Sequence, residues 1–124
     1  MSAQMAAMVV NPNVVIDNSW YPDSGSTNHC TPDPNNLIIQ DIYAKNDQIH
    51  MGDGTNLAIQ HIGQSTFPSQ FSSKLLVLKQ LLHVPSISKN LLSVSKFAHD
   101  NNVFFEFHYN QCFVKDQVTR TILL

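Results

Sequence analysis

A carboxylate set among small, hydroxyl-bearing residues can be held in one orientation by their side chains and by the backbone N–H groups around it. Trp20-Tyr21-Pro22-Asp23-Ser24-Gly25-Ser26-Thr27 is such a stretch, and Asp23 is the residue its order singles out. The chemistry open to a fixed carboxylate is proton transfer. Gly25, two residues on, lets another backbone approach closely. The same letters also spell a surface turn, with Pro early and Gly at the end. Local order leaves both readings open.

Six histidines and two cysteines are the other candidates. His29 beside Cys30, and His108 four before Cys112, are the only close pairs, and neither gives the paired ligand pattern of a structural zinc site. No metal and no cofactor are expected. Neither cysteine sits in a recognisable nucleophile context, so both are expected to be reduced, partly buried and inert. The single histidines are expected at the surface or satisfied in the core.

The elements that must position Asp23 come from a chain of 124 residues, the size of one domain with a real core. Only 13% of residues are charged while 43% are hydrophobic, which indicates a globular chain whose polarity comes from amides and hydroxyls. The formal net charge is −2, and the seven Lys and Arg are scattered from Lys45 to Arg120. That distribution argues against direct nucleic-acid binding. Two cysteines are too few for a disulfide framework. Met1 to Val10 is apolar but lacks a basic flank and is too short to span a bilayer. The expectation is an intracellular, cytoplasmic protein with no membrane partner.

Taken in order, residues 1–13 read as a flexible leader and 14–124 as the domain. Val14-Val15-Ile16 suits a strand, and after Asp17-Asn18-Ser19 a second run ends at Asp23. Thr31 to Asn36 carries two prolines, which forbid helix and central strand. Leu37-Ile38-Ile39 is a brief apolar patch. Gln48 to Met51 and Leu57 to Ile62 flank Gly52-Asp53-Gly54-Thr55, a strong hairpin signal because Gly tolerates positive φ. From Lys74 to His83, the spacing of Leu75, Leu78 and Leu82 favours helix slightly over a doubly buried strand. Ser88 to His99 is the best helix candidate, with Leu91, Leu92, Val94 and Ala98 on its apolar stripe. Val103 to His108 and Cys112 to Lys115 read as a hairpin. Thr119 to Leu124 stops as if in mid-strand, as though the domain continued past its C-terminus.

Asp23-Ser24-Gly25-Ser26-Thr27 after an aromatic pair resembles the active-site loop of retropepsin-like aspartic proteases, most of all the copia-type retrotransposon version. That version usually reads Asp-Ser-Gly-Ala-Thr. Ser26 departs from it mildly, since cellular aspartic proteases carry Ser there. The Gly52-Asp53-Gly54 hairpin, about thirty residues later, takes the place of the flap over the substrate cleft, although a purely structural hairpin would use the same turn chemistry. Leu81-Leu82-His83-Val84-Pro85 and Asn90-Leu91-Leu92-Ser93-Val94 follow in the expected order, and on this likeness Lys74 to His83 is read as strand. The resemblance runs from Trp20 to Leu124.

It implies a mainly β fold, a retropepsin-like closed barrel with one short helix, lying inside a Gag-Pol polyprotein. One chain supplies one Asp, so catalysis would need a homodimer in which two copies of Asp23 share a proton around a water. By the same likeness Ser24 would hydrogen-bond across the two-fold axis, Gly25 would allow close approach, Ser26 could donate to the carboxylate, and Thr27 completes the loop. The substrate would be a polyprotein peptide. The competing expectation is a catalytically silent, transposon-derived β-barrel fragment. No zinc knuckle, integrase or reverse-transcriptase motif is present.

Overall fold

The structure is a computed structural model, and it describes residues 4–5 and 19–124. The expected strand at Val14-Val15-Ile16, and most of the expected leader, lie outside the described residues. Within that leader Gln4–Met5 form a short strand, β1, parallel to β5 (Gln48–Met51).

Strand β2 (Trp20–Asp23) is followed by β3 (Cys30–Thr31), a single 3-10 turn (Pro34–Asn36) and β4 (Ile39–Ile42). After β5 come β6 (Asn56–Ala58), β7 (His61–Pro68), β8 (Leu75–His83) and β9 (Asn90–Ser93). Helix α1 (Val94–Asn101) and the hairpin β10 (Val103–Phe107) and β11 (Cys112–Asp116) complete the fold, which among the described residues is mainly β with one α-helix. Six strands form one sheet in the order β2-β9-β3-β8-β7-β4, and β1-β5-β6 and β10-β11 form two smaller sheets. The closed barrel expected from the sequence is not seen among the described residues: β2 and β4 end the large sheet, and no pairing joins them. No helix among the described residues is long and apolar enough to cross a membrane.

The turn at Pro34–Asn36 departs from the expectation that prolines exclude helix, because Pro34 opens the turn, where its missing N–H costs nothing. Asp33 caps it, its Oδ1 accepting from the Asn35 N–H at 2.9 Å.

The helix begins six residues later than Ser88. Asn90–Ser93 are strand because β9 lies between β2 and β3, parallel to the first and antiparallel to the second. Leu91 and Leu92 then point to opposite faces and enter two different apolar clusters. Ser93 is the N-cap, its hydroxyl accepting from the Lys96 N–H, and Asn102 closes the helix in the left-handed region at φ 53°. Phe97 anchors α1: it is fully buried, stacked on Phe67 at 5.7 Å and edge-on to Phe105 at 5.8 Å. Burying such a side chain stabilises the fold by roughly 1.5–3 kcal/mol.

Strand β8 joins the two clusters. Leu76, Leu78 and Leu81 face one, and Leu82 and Val84 belong to the other. Its register against β7 shifts between Gly63↔Leu81 and Ser65↔Leu78, so β8 carries one extra residue, with Gln80 at φ 54°.

Gly63 lets β4 pair closely with β7. A Cβ at this position would lie 1.9 Å from the Ile39 carbonyl oxygen. Gly63→Ala is therefore expected to cost about 1–3 kcal/mol through overpacking. Thermal unfolding should show the loss, together with faster exchange of the Ile38 amide, which donates to the Gln64 carbonyl at 2.8 Å. An unchanged melting temperature would show that β4 is not held against Gly63.

Candidate functional site

Because β9 separates β2 from β3, residues 24–29 must cross over the C-terminal end of β9. Asp23 ends β2, directly opposite Ser93 at the end of β9. The Asp23 side chain is 0% exposed. Its Oδ1 accepts the Gly25 N–H at 2.9 Å, and its carbonyl accepts the Ser26 N–H at 3.4 Å. This is an Asx-type turn, so turn chemistry itself orients the carboxylate, in the interior and not at the surface. Oδ2 is buried without a hydrogen-bond partner among the described residues.

Ser26 is buried; its hydroxyl donates to the Asn28 carbonyl at 2.6 Å and accepts the Asn28 N–H at 3.3 Å. Ser24 and Thr27 are exposed, and Thr27 Oγ1 accepts from Asn28 Nδ2 at 3.1 Å.

Beneath the loop, Ser93 gathers three bonds. Its N–H donates to His29 Nδ1 at 2.9 Å, its hydroxyl donates to the Ser26 carbonyl at 2.7 Å, and the same oxygen accepts the Lys96 N–H at 3.3 Å. From sequence, His29 stands out only as the neighbour of Cys30. Its partner is 64 residues away, and no local pattern announces the contact. Burial lowers the His29 pKa to about 3, with Lys96 adding to the shift and Asp100 opposing it. The ring is therefore neutral at ordinary pH.

Cys30, which opens β3, is fully buried. Burial, and then the nearby Asp23 carboxylate, raise its pKa, so it stays a thiol. Burial pushes the Cys112 thiol up to about 12. Neither offers a thiolate nucleophile. Among the described residues no group of three or more His, Cys, Asp or Glu is arranged to hold a metal ion.

A cleft of about 510 Å³ starts at Thr27 and Asn28 and runs between β5 and the large sheet. Ile49, Ile59, Ile62 and Leu82 give it an apolar lining, with Tyr43, Lys45, Asp47 and His50 as polar groups. Asp23 does not line it. The hairpin tip at Gly52-Asp53-Gly54 does not line it either; strand β5 forms that wall. The tip is a tight exposed turn with Gly54 at φ 91°. Asp53 Oδ1 accepts the Thr55 hydroxyl at 2.6 Å and the Thr55 N–H at 3.0 Å, bonds that hold the Asp53 pKa below the usual carboxylate value.

Residues 20–103, from β2 through the start of β10, match the family described as Pol polyprotein, beta-barrel domain. The chain belongs to that family. It is 40% identical over 107 residues to the retrovirus-related Pol polyprotein from transposon RE2 of Arabidopsis thaliana, and 38% identical over 107 residues to that from transposon RE1 of the same plant. Each match covers 86% of this chain and 7% of the relative, so the chain corresponds to a small segment of a Pol polyprotein. No solved structure matches it. The Pol polyprotein β-barrel domain is described by its fold and not by an activity. Its matched region contains the whole Asp23 loop, the cleft and the β9–α1 junction.

Proposed function

We propose that this Pol polyprotein segment is one half of an aspartic endopeptidase of the copia-type, retropepsin-like kind. The observation that carries the reading is the Asp23 carboxylate, oriented by the Gly25 N–H in a loop that crosses the end of β9. One chain provides one such acid, so the working unit is a two-fold homodimer built from residues 14–124. Two Asp23 carboxylates hold one proton between them. The ionised one takes a proton from water as that water attacks the peptide carbonyl, and the protonated one donates to the carbonyl oxygen. Transfer of a proton to the amide nitrogen then releases the two peptides. By the likeness to the copia-type loop, Ser24 and Gly25 would be the residues at which the two loops meet. The cleft beside Thr27 would receive an extended polyprotein peptide inside the cell, with strand β5 as its wall and the Gly52-Asp53-Gly54 turn as a flap tip.

A second reading is favoured by one observation: in the single chain Asp23 is 0% exposed and lies outside the cleft. On that reading the domain is a catalytically silent structural element of the polyprotein. Incubating the purified chain with its own polyprotein separates the two. Cleavage that rises with the square of protein concentration and stops with an aspartic-peptidase inhibitor supports the peptidase. Intact polyprotein at concentrations where the chain is dimeric supports the silent domain.

A further inference from the structure

His29 is the fully buried histidine of the crossing loop, and the proton-transfer scheme above makes no use of it. Its backbone carbonyl accepts the Leu82 N–H at 3.0 Å, which ties it to β8. Its Nδ1 accepts the Ser93 N–H at 2.9 Å, which ties the ring to β9. The ring stands edge-on to Phe97 with centroids 6.3 Å apart. A backbone N–H can only donate, so Nδ1 must carry a lone pair and the proton of the neutral ring must sit on Nε2. Nε2 is buried and has no hydrogen-bond partner among the described residues. A histidine held in one tautomer with its other nitrogen unsatisfied is an expensive way to fill space, and what it supplies in return is an acceptor for the buried Ser93 N–H that an apolar side chain would leave unpaired.

We propose that His29 is a positioning residue for Asp23, acting as the fixed acceptor that sets Ser93 beneath the crossing loop. Ser93 stands opposite Asp23 in the β2–β9 register, and its hydroxyl holds the Ser26 carbonyl. Ser26 in turn follows Gly25, whose N–H orients the carboxylate. The line of force runs from His29 through Ser93 and Ser26 to Gly25 and Asp23. The histidine touches neither the reacting atoms nor the cleft. Its low pKa serves the same end: the acceptor survives on the acidic side of neutral, where a pair of carboxylates sharing one proton operates. The catalytic part of this inference rests on the peptidase reading; the structural part does not.

Three variants separate the acceptor from the volume. Asparagine at position 29 places its Oδ1 where Nδ1 stands, glutamine places its oxygen one bond too far, and leucine has no acceptor. In the full chain, His29→Leu and His29→Gln are expected to speed amide exchange at Gly25, Ser26 and Ser93 by about tenfold or more, while exchange in β7 and β8 stays near wild type. His29→Asn should restore the protection. Nitrogen-15 spectra of the wild-type imidazole should show a bare Nδ1 and a protonated Nε2, unchanged from pH 7 to pH 5. If the chain cleaves peptides, His29→Leu should lower kcat by about 100-fold through misplacement of the acid, with KM altered by less than about twofold, and His29→Asn should recover most of it. Exchange at Gly25 and Ser26 that is the same in His29→Leu as in wild type would overturn the proposal, as would a protonated Nδ1. An absence of cleavage in wild type would remove the peptidase reading and leave the exchange result to decide the role of His29.

Discussion

Between pH 6.5 and pH 4.5 the protein is expected to lose about 2–3 kcal/mol of unfolding free energy, at roughly 1.4 kcal/mol per pH unit, through His29. The sign follows from the two protonation states. In the unfolded chain the imidazole binds a proton below its ordinary value of 6.5, whereas the buried ring does so only near 3. Across that window the unfolded state holds more protons, so stability is complete above 6.5, falls as pH falls, and has no more to lose through this group below about 3. His83 contributes with the same sign. Burial, and then the stacked His61 ring whose Nδ1 lies 2.9 Å from its own, lower its pKa against the opposing Pro32 carbonyl and Asp33 carboxylate. The lowered carboxylates Asp53, Asp100, Glu106 and Asp116 act in the same direction at more acid pH. The window above 4.5 therefore isolates the histidines. Urea unfolding at several pH values should show the slope in wild type, and His29→Asn should remove most of it. Equal slopes in the two proteins would show that His29 is not buried neutral.

On the proposed peptidase reading, replacing Asp23 by asparagine is expected to abolish cleavage while leaving the fold intact. Two like carboxylates a few ångströms apart cannot both ionise, so the working state has one shared proton and exists only between the two apparent pKa values of the pair. Asparagine removes both the base and the shared proton. It keeps an oxygen where Oδ1 accepts the Gly25 N–H, and it replaces an Oδ2 that has no partner to lose. Turnover should fall by about 10³-fold or more, to background. The melting temperature should stay within a few degrees of wild type. Wild-type activity should trace a bell on the acidic side of neutral and require a dimer, its acid limb cut short by the loss of stability through His29. Activity that persists in Asp23→Asn, or that is first order in protein down to high dilution, would rule out the dyad.

The turns and strands that carry their own chemistry could be read from sequence. Asp53-Gly54 sits in a hairpin turn, the β10–β11 hairpin folds as its alternation suggests, and Asp23 ends a strand. What sequence alone blurred has physical causes. The helical spacing of Leu75, Leu78 and Leu82 falls on a strand interrupted by a bulge: Leu75 is exposed, and the extra residue near Gln80 shifts the two-residue alternation so that Leu76 and Leu78 before it and Leu81 after it enter one cluster. Leu91 and Leu92 read as part of a helix because a strand buried on both faces loses its alternation. His29 gave no signal, since its meaning depends on Ser93, which only the threaded sheet brings near.

That threading also sets an order of events in time. Strand β9 pairs with β2 at Trp20↔Asn90, across some seventy residues of intervening chain, and it is the layer on which the crossing loop rests. Contacts of such sequence separation pay their loop-closure entropy before they return any binding energy, which makes them late and slow in folding. While a ribosome is still short of residue 93, the Asp23 turn can close on Gly25 but has no Ser93 to hold it. A growing polyprotein therefore carries the Asp23 turn for much of this segment's synthesis without the strand that supports it, and a cut anywhere between β3 and β9 would leave each piece without the other half of the support.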